Sequence, residues 1–304
     1  RLAQALLGTL LCPLAFLLAR RLWDDAAGLM AAGLCAIHPY LIYLTFQFVG
    51  EVAFVPLLLA ACFLLMMVDD DRSRWPHAAA AGVAAGLTNL VRATYVPFSA
   101  LGALWILRRR GPKPAAAYAL CVGLVMLPWF YRNAVVMGAF IPVSTEGGQA
   151  LWHGNNPRAT GGGETYGDPD LVRRHPSEVD LDRAYWRAGR SNILSDPPRF
   201  LQMAVKKAWL FWRPFPHQSG ITTRARQWAA ACAWALIVPA ALFTIVRRWR
   251  TSGGVRLLGG FLIYMTLFHM IFIGQIRFRI PAEPLLIVLA APVLAGALRK
   301  AWSA

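Results

Sequence analysis

The 304-residue chain is 57% hydrophobic, with a mean hydropathy of +0.46 and a formal net charge of +16. Its apolar residues come in long uninterrupted blocks, which a soluble core does not need, so the composition points to a polytopic membrane protein. The positive charge is not a nucleic-acid signature: fourteen of the 31 basic residues fall in short loops between apolar blocks, where they face anionic headgroups, and none forms a groove with interleaved aromatics.

In chain order, segments near 2–19, 26–46, 52–68, 115–130, 228–246, 257–273 and 280–298 each approach the roughly 20 residues that a spanning helix requires. Residues 77–107 are too long for one span and are broken by Asn89 and Arg92. They read as two short helices, 77–91 and 93–107, with Arg92 at the turn. The expectation is an all-α bundle of about nine transmembrane helices. The chain divides into 1–131, with about six helices, an external segment 132–226, and 227–304, with three helices. Arg1 opens inside an apolar helix, with no charged n-region or cleavage motif, which excludes a signal peptide and predicts a preceding segment.

Charge placement predicts the orientation. One set of alternate short loops collects Arg20, Arg21, Arg72, Arg74, Arg108, Arg109, Arg110, Lys113, Arg247, Arg248, Arg250, Arg256, Arg299 and Lys300; the other holds Arg92, Arg277 and Arg279, plus Arg1. The first set is cytoplasmic by the positive-inside rule, which puts 132–226 outside and the C-terminus inside. The five cysteines, Cys12, Cys35, Cys62, Cys121 and Cys232, sit one per apolar segment without CxxC spacing. They read as small apolar helix residues, with no disulfide framework and no zinc site.

The external segment has mixed structure in this reading. Gly138 to Gly163 is rich in Gly, Pro and Asn and predicts an ordered loop with a short strand at Phe140–Val143. Ser177-Glu-Val-Asp180 resembles a capping box, opening a helix from Glu178 to about Leu194. Asp196 caps a further helix with Pro197 in its first turn. That helix, Arg199–Trp212, carries Phe200, Leu201, Val205 and Trp209 beside Lys206 and Lys207. It reads as interfacial, apolar face in the headgroup boundary and lysines up.

Charges at the outer helix ends are costly in hydrocarbon and need a reason. Glu51, Arg92, Arg277, Arg279 and Glu283 all lie there, and His38-Pro39 sits in the outer third of a helix. Arg277, Arg279 and Arg92 are candidate ligands for a phosphate, because guanidinium offers bidentate donors; Arg279, nearest the span, is favoured. At positions i and i+2 the two arginines diverge, so only one of the pair is expected to serve. Snorkelling anchors are the competing reading. Glu51 is a candidate base, metal ligand or arginine partner, expected to face a polar neighbour. Glu146, Trp152, His153, Asn155 and Asn156 suit a sugar ring or acceptor, with stacking on the face and hydrogen bonds to hydroxyls. Asparagines in such a loop are also ordinary turn residues.

The runs Ala19-Arg-Arg-Leu-Trp23, Ala27-Gly-Leu-Met-Ala-Ala-Gly-Leu34 and His38-Pro-Tyr-Leu-Ile-Tyr43 resemble bacterial glycosyltransferase family 39 proteins, relatives of protein O-mannosyltransferases and lipid A aminoarabinose transferases. So do Gly82–Arg92, Pro128-Trp129, Arg132-Asn133, Phe140–Thr145, Gly147-Gly148, Leu151-Trp152, Gly154-Asn-Asn-Pro157 and Arg277-Phe-Arg279-Ile-Pro281 with Pro284. The resemblance implies a GT-C bundle in the bacterial inner membrane, acting in the cell envelope. It implies a sugar donor on a polyprenyl phosphate and an acceptor hydroxyl on lipid, glycan or protein. It names no cofactor and leaves a divalent metal open. It also implies that the catalytic base belongs to a first external loop preceding this chain, with Glu51 the candidate within it. The alternative function is a transporter or flippase for lipid-linked glycans, using the same arginines around a central cavity.

Overall fold

The computed structural model describes residues 2–46, 49–70, 74–163, 167–215 and 223–302. Arg1 and Arg72 of the basic residues named above lie outside them. Among the described residues every regular element is helical, so the strand expected at 140–143 is replaced by bends and the external segment is not mixed. The helices are α1 Leu2–Thr9, α2 Leu11–Leu22, α3 Asp25–Ile37, α4 Pro39–Thr45, α5 Glu51–Asp70, α6 Arg74–Val91, α7 Val96–Arg110, α8 Pro112–Met137, α9 Gly147–Asn155, α10 Pro169–Arg174, α11 Glu178–Ser195, α12 Pro197–Trp212, α13 Arg224–Arg248, α14 Gly253–Ile271, α15 Ile276–Arg279 and α16 Glu283–Trp302.

Among the described residues, six helical stretches are long and apolar enough to span a bilayer: 2–22, 51–69, 112–137, 224–248, 253–271 and 276–301. The pair α3 and α4, bent by 57° at His38-Pro39, makes a seventh if it crosses as one. The chain is a multi-pass membrane protein, and the count of about nine is corrected to six or seven by length and composition. The bend follows from Pro39, which pushes His38 to an extended ψ of 122° and then starts α4 at its first position. The two short helices expected around Arg92 are α6 and α7. Arg92 lies between them in extended conformation.

The chain folds as two compact units. One comprises 1–126, 214–262 and 280–304; the other comprises 127–213 and 263–279.

In the first unit, α6 packs on α8 through Gly82 and Gly86. A Cβ at Gly82 would lie 2.4 Å from the Tyr118 carbonyl oxygen, and one at Gly86 would lie 2.7 Å from Val125 Cβ. This is the small-xxx-small contact by which membrane helices approach without a hydrophobic driving force. Asn89, three residues on and buried, donates to Ser99 Oγ at 3.0 Å.

The basic loops gather at one end of this unit. Asp69 near the foot of α5 accepts two bonds from Arg109 at 2.7 and 2.6 Å and lies 3.3 Å from Arg110. Arg21, Trp105 and Ser252 share a cavity of about 240 Å³ with Asp69. Arg299 of α16 reaches Asp24, whose carboxylate caps α3, at 3.0 Å. Segments 20–25, 69–70, 105–110 and 251–254 therefore meet where the charge pattern expects the cytoplasmic face. A 20-residue helix is about 30 Å long, so Glu51 at the head of α5 stands at the opposite end.

In the second unit, α9 was expected to be loop. Gly147 and Gly148 belong to its first turn because they let it seat on α11: a Cβ at Gly148 would lie 2.2 Å from the Asp182 carbonyl oxygen. Gly148 N–H donates to Asp182 Oδ1 at 2.7 Å. The helix expected from Glu178 is α11. Ser177 stands at its N-cap, but its hydroxyl takes no cap bond, and Glu178 instead accepts from the Thr145 hydroxyl. Asp196 caps α12 as expected, accepting from Arg199 N–H at 3.1 Å, with Pro197 in the first turn.

Candidate functional site

Two polar clusters stand at helix ends, one in each unit. In the first unit the head of α5 places Glu51 beside the α6–α7 turn. Arg92 Nη2 lies 2.7 Å from Glu51 Oε1; the carboxylate is 1% exposed and the guanidinium side chain 25%. The structure thus gives Glu51 the basic neighbour its burial requires. His38 Nε2 lies 3.8 Å from Glu283 Oε2, both nearly fully buried. Glu283 opens α16 directly after the turn Ile280–Ala282, and α5 packs against that turn. Four ionisable side chains thereby occupy the end of this unit remote from the basic loops.

In the second unit two buried cations close helix C-termini. Arg279 is fully buried and donates through Nη1 to the carbonyls of Phe211 at 3.1 Å and Arg213 at 3.0 Å. Its guanidinium also lies over the Trp212 ring, 6.0 Å from the centroid. Those carbonyls belong to the end of α12, where the last backbone acceptors have no intrahelical donor. Arg277, two residues earlier on α15, is exposed. The divergence of the pair is as expected, and the inward member, Arg279, directs Nη1 to main chain.

Lys207 is the second buried cation. Nζ donates to Asn155 Oδ1 at 2.9 Å and to the Ile271 carbonyl at 3.0 Å. Asn155 Nδ2 donates to the same Ile271 carbonyl at 2.9 Å and to that of Leu151 at 2.8 Å. Together they satisfy the C-terminus of α14. The contact is close because it runs past glycines: a Cβ at Gly154 would lie 1.7 Å from the Phe272 carbonyl oxygen, and one at Gly274 would lie 2.2 Å from that of Lys207. Lysines up is therefore wrong for Lys207, though Lys206 is exposed. On the outer face of α12, Leu201, Val205 and Trp209 are 63%, 67% and 64% exposed at four-residue spacing, the apolar stripe of an interfacial helix.

The proposed sugar-binding residues separate into two groups. Asn155 and Asn156 are buried. Asn156 Nδ2 donates to the Trp152 carbonyl at 3.1 Å and its Oδ1 accepts from Arg158 N–H at 2.8 Å, so both amides bond to the end of α9. Glu146 is exposed at the start of α9. Trp152 is partly exposed, 5.4 Å from Tyr185 and 5.6 Å from His153 between ring centroids. Partial burial lowers the His153 pKa below the ordinary imidazole value. Burial raises that of Asp182, against the lowering by the Gly148 N–H.

Sequence reading missed Lys207. Two adjacent lysines on a helix lie about 100° apart, so one of them leaves the polar face, which is a legible signal. Burial, with the charge of Arg199 as a lesser cause, pushes the Lys207 pKa down to about 7. Between about 7 and the unfolded value near 10.4, the unfolded chain holds a proton that the folded one does not. Stability is therefore expected to rise with pH across that window, by at most about 1.4 kcal/mol per unit, and the rise should vanish in Lys207→Met. Thermal midpoints of the detergent-solubilised protein at successive pH values check this. Parallel curves for the two proteins would exclude a neutral Lys207.

Among the described residues no group of three or more His, Cys, Asp and Glu side chains is placed to hold a metal ion. Residues 1–131 match the family model of dolichyl-phosphate-mannose-protein mannosyltransferases. No curated protein matches the chain. The fold is similar to that of the crystal structure of the Archaeoglobus fulgidus oligosaccharyltransferase in complex with Zn and sulfate, with a TM-score of 0.59 and 17% identity over 98% of this chain. The chain spans 37% of the length of that structure. Its first 131 residues thus match the model of the dolichyl-phosphate-mannose-protein mannosyltransferase family, within a chain whose fold is similar to that of the oligosaccharyltransferase.

Proposed function

We propose that this chain is part of a membrane glycosyltransferase of the bacterial inner membrane, moving a sugar from a polyprenyl phosphate to an acceptor hydroxyl on lipid, glycan or protein at the external face. The observation that carries this reading is the buried Glu51–Arg92 pair, set within the stretch that matches the mannosyltransferase family and at the end of its unit remote from the basic loops. A bundle that needs only to fold gains little from burying such a pair, since an apolar pair of similar volume serves as well.

In the reaction, the acceptor oxygen attacks the anomeric carbon and the bond from that carbon to the phosphate oxygen breaks. Polyprenyl phosphate leaves with the electron pair, and the acceptor proton passes to a carboxylate base. Glu51, 1% exposed and held by Arg92, acts in this reading by fixing Arg92 rather than as the base. Arg277, the exposed arginine of its pair, takes the donor phosphate, where a preorganised cation stabilises the charge that develops on the leaving oxygen. Glu146, Trp152 and His153 are the partly accessible side chains left for sugar or acceptor.

Arg277→Ala in the full-length protein should lower transfer from a radiolabelled polyprenyl-phosphate sugar by about 10²-fold, the loss typical of one oxyanion ligand, with the thermal midpoint unchanged. Wild-type turnover in that variant would place the phosphate elsewhere. Translocation of the donor across proteoliposomes without sugar transfer would favour the flippase.

A further inference from the structure

Helices α13 and α16 pack together in the first unit, and near their C-terminal ends they part to leave a groove of about 530 Å³. Pro292 accounts for part of its shape. A proline cannot donate to the carbonyl four residues back, which is that of Val288. Trp23 Nε1 takes that acceptor at 3.2 Å, so its indole is pinned across α16 and forms one wall. Phe243 and Val293 make the apolar sides. Gly296 opens the middle, where a Cβ would meet no atom within 4 Å. Thr244 is 4% exposed at the floor, and its hydroxyl has no hydrogen-bond partner among the described residues.

The groove is apolar along its length and cationic at one end. Arg247, Arg248 and Lys300 line that end, all three exposed, and Arg247 lies over the Phe243 ring at 5.5 Å. Both helices are long and apolar enough to span, so their C-terminal basic residues sit at a bilayer boundary. A ligand that suits the site has a phosphate at the boundary and a hydrocarbon chain running inward. Basic recesses between transmembrane helices select anionic headgroups in this way.

We propose that this groove holds an anionic glycerophospholipid, its phosphate against Arg247, Arg248 and Lys300 and an acyl chain along Phe243, Val293 and Gly296. The inference rests on the membrane-spanning character of the chain and not on the glycosyltransferase reading. Native mass spectrometry of the purified full chain, titrated with phosphatidylglycerol or phosphatidylcholine, tests it. Retention of phosphatidylglycerol over phosphatidylcholine is expected, falling by about fivefold for each of the three cations changed to Gln, the factor that corresponds to about 1 kcal/mol per basic residue at a membrane surface. Because those changes can disturb insertion, Gly296→Leu serves as the charge-neutral variant. Its Cβ would meet no atom within 4 Å, so it adds apolar bulk in the middle of the groove and should lose phosphatidylglycerol by tenfold or more, with its lipid-free thermal midpoint unchanged. Equal binding of the two lipids, undiminished phosphatidylglycerol binding in Gly296→Leu, or full displacement of the lipid by inorganic phosphate would each overturn the proposal.

Discussion

Replacing Arg279 with alanine is expected to unfold the unit formed by 127–213 and 263–279, not to leave a folded protein that binds donor weakly. The guanidinium is fully buried and bridges the carbonyls of Phe211 and Arg213 at the end of α12. Each such charge-assisted bond contributes about 1.5–3 kcal/mol, and its removal leaves a carbonyl without a partner in a dry site. The loss is therefore on the order of 3–6 kcal/mol, a large share of the 5–15 kcal/mol that stabilises a typical domain. Arg279→Lys keeps the charge but not the planar fork, and should recover little. Thermal melting in detergent, with limited proteolysis after residues 199–213, separates the outcomes. A variant that melts like wild type but fails to transfer sugar would restore Arg279 to the donor phosphate and refute the capping role.

How much of this was legible depended on whether a feature is decided locally. Apolar runs, the break at Arg92 and the Asp196 cap are local, and they appear in the structure at or near the expected residues. The α9 helix was not legible, because glycine carries a loop signal by composition. What favours glycine at Gly147 and Gly148 is the α11 surface some 35 residues on, which admits no Cβ at Gly148 and crowds one at Gly147. Arg277 and Arg279 look alike in sequence. The choice between them is made by the carbonyls of Phe211 and Arg213, distant in sequence, and no pattern in the pentapeptide reports it. Asn155 and Asn156 were read as ligand groups for the same reason: an amide that closes a helix end and one that meets a sugar share the same letter. The span count ran high because α6 and α7, of 18 and 15 residues, are not among the spanning stretches and the α3–α4 pair is bent.

The other large effect is expected at Arg92. Removing it leaves Glu51, 1% exposed, as a buried carboxylate stripped of its counter-charge, which costs about 3–5 kcal/mol in comparable pairs. Arg92→Gln should therefore lower the thermal midpoint strongly. The double variant Glu51→Gln with Arg92→Gln should recover most of the loss, because two neutral amides can hydrogen-bond without leaving a buried charge uncompensated. A double-mutant cycle should give a coupling energy above about 1.5 kcal/mol, at the high end of contacting pairs. An energy near zero would mean that the 2.7 Å contact carries no stability. The same variants separate a packing device from a site. If the pair only holds α5 to the α6–α7 turn, the double variant regains sugar transfer along with its midpoint. If Arg92 acts on the donor, the midpoint returns and transfer does not, because the amide has no positive charge to offer the leaving phosphate.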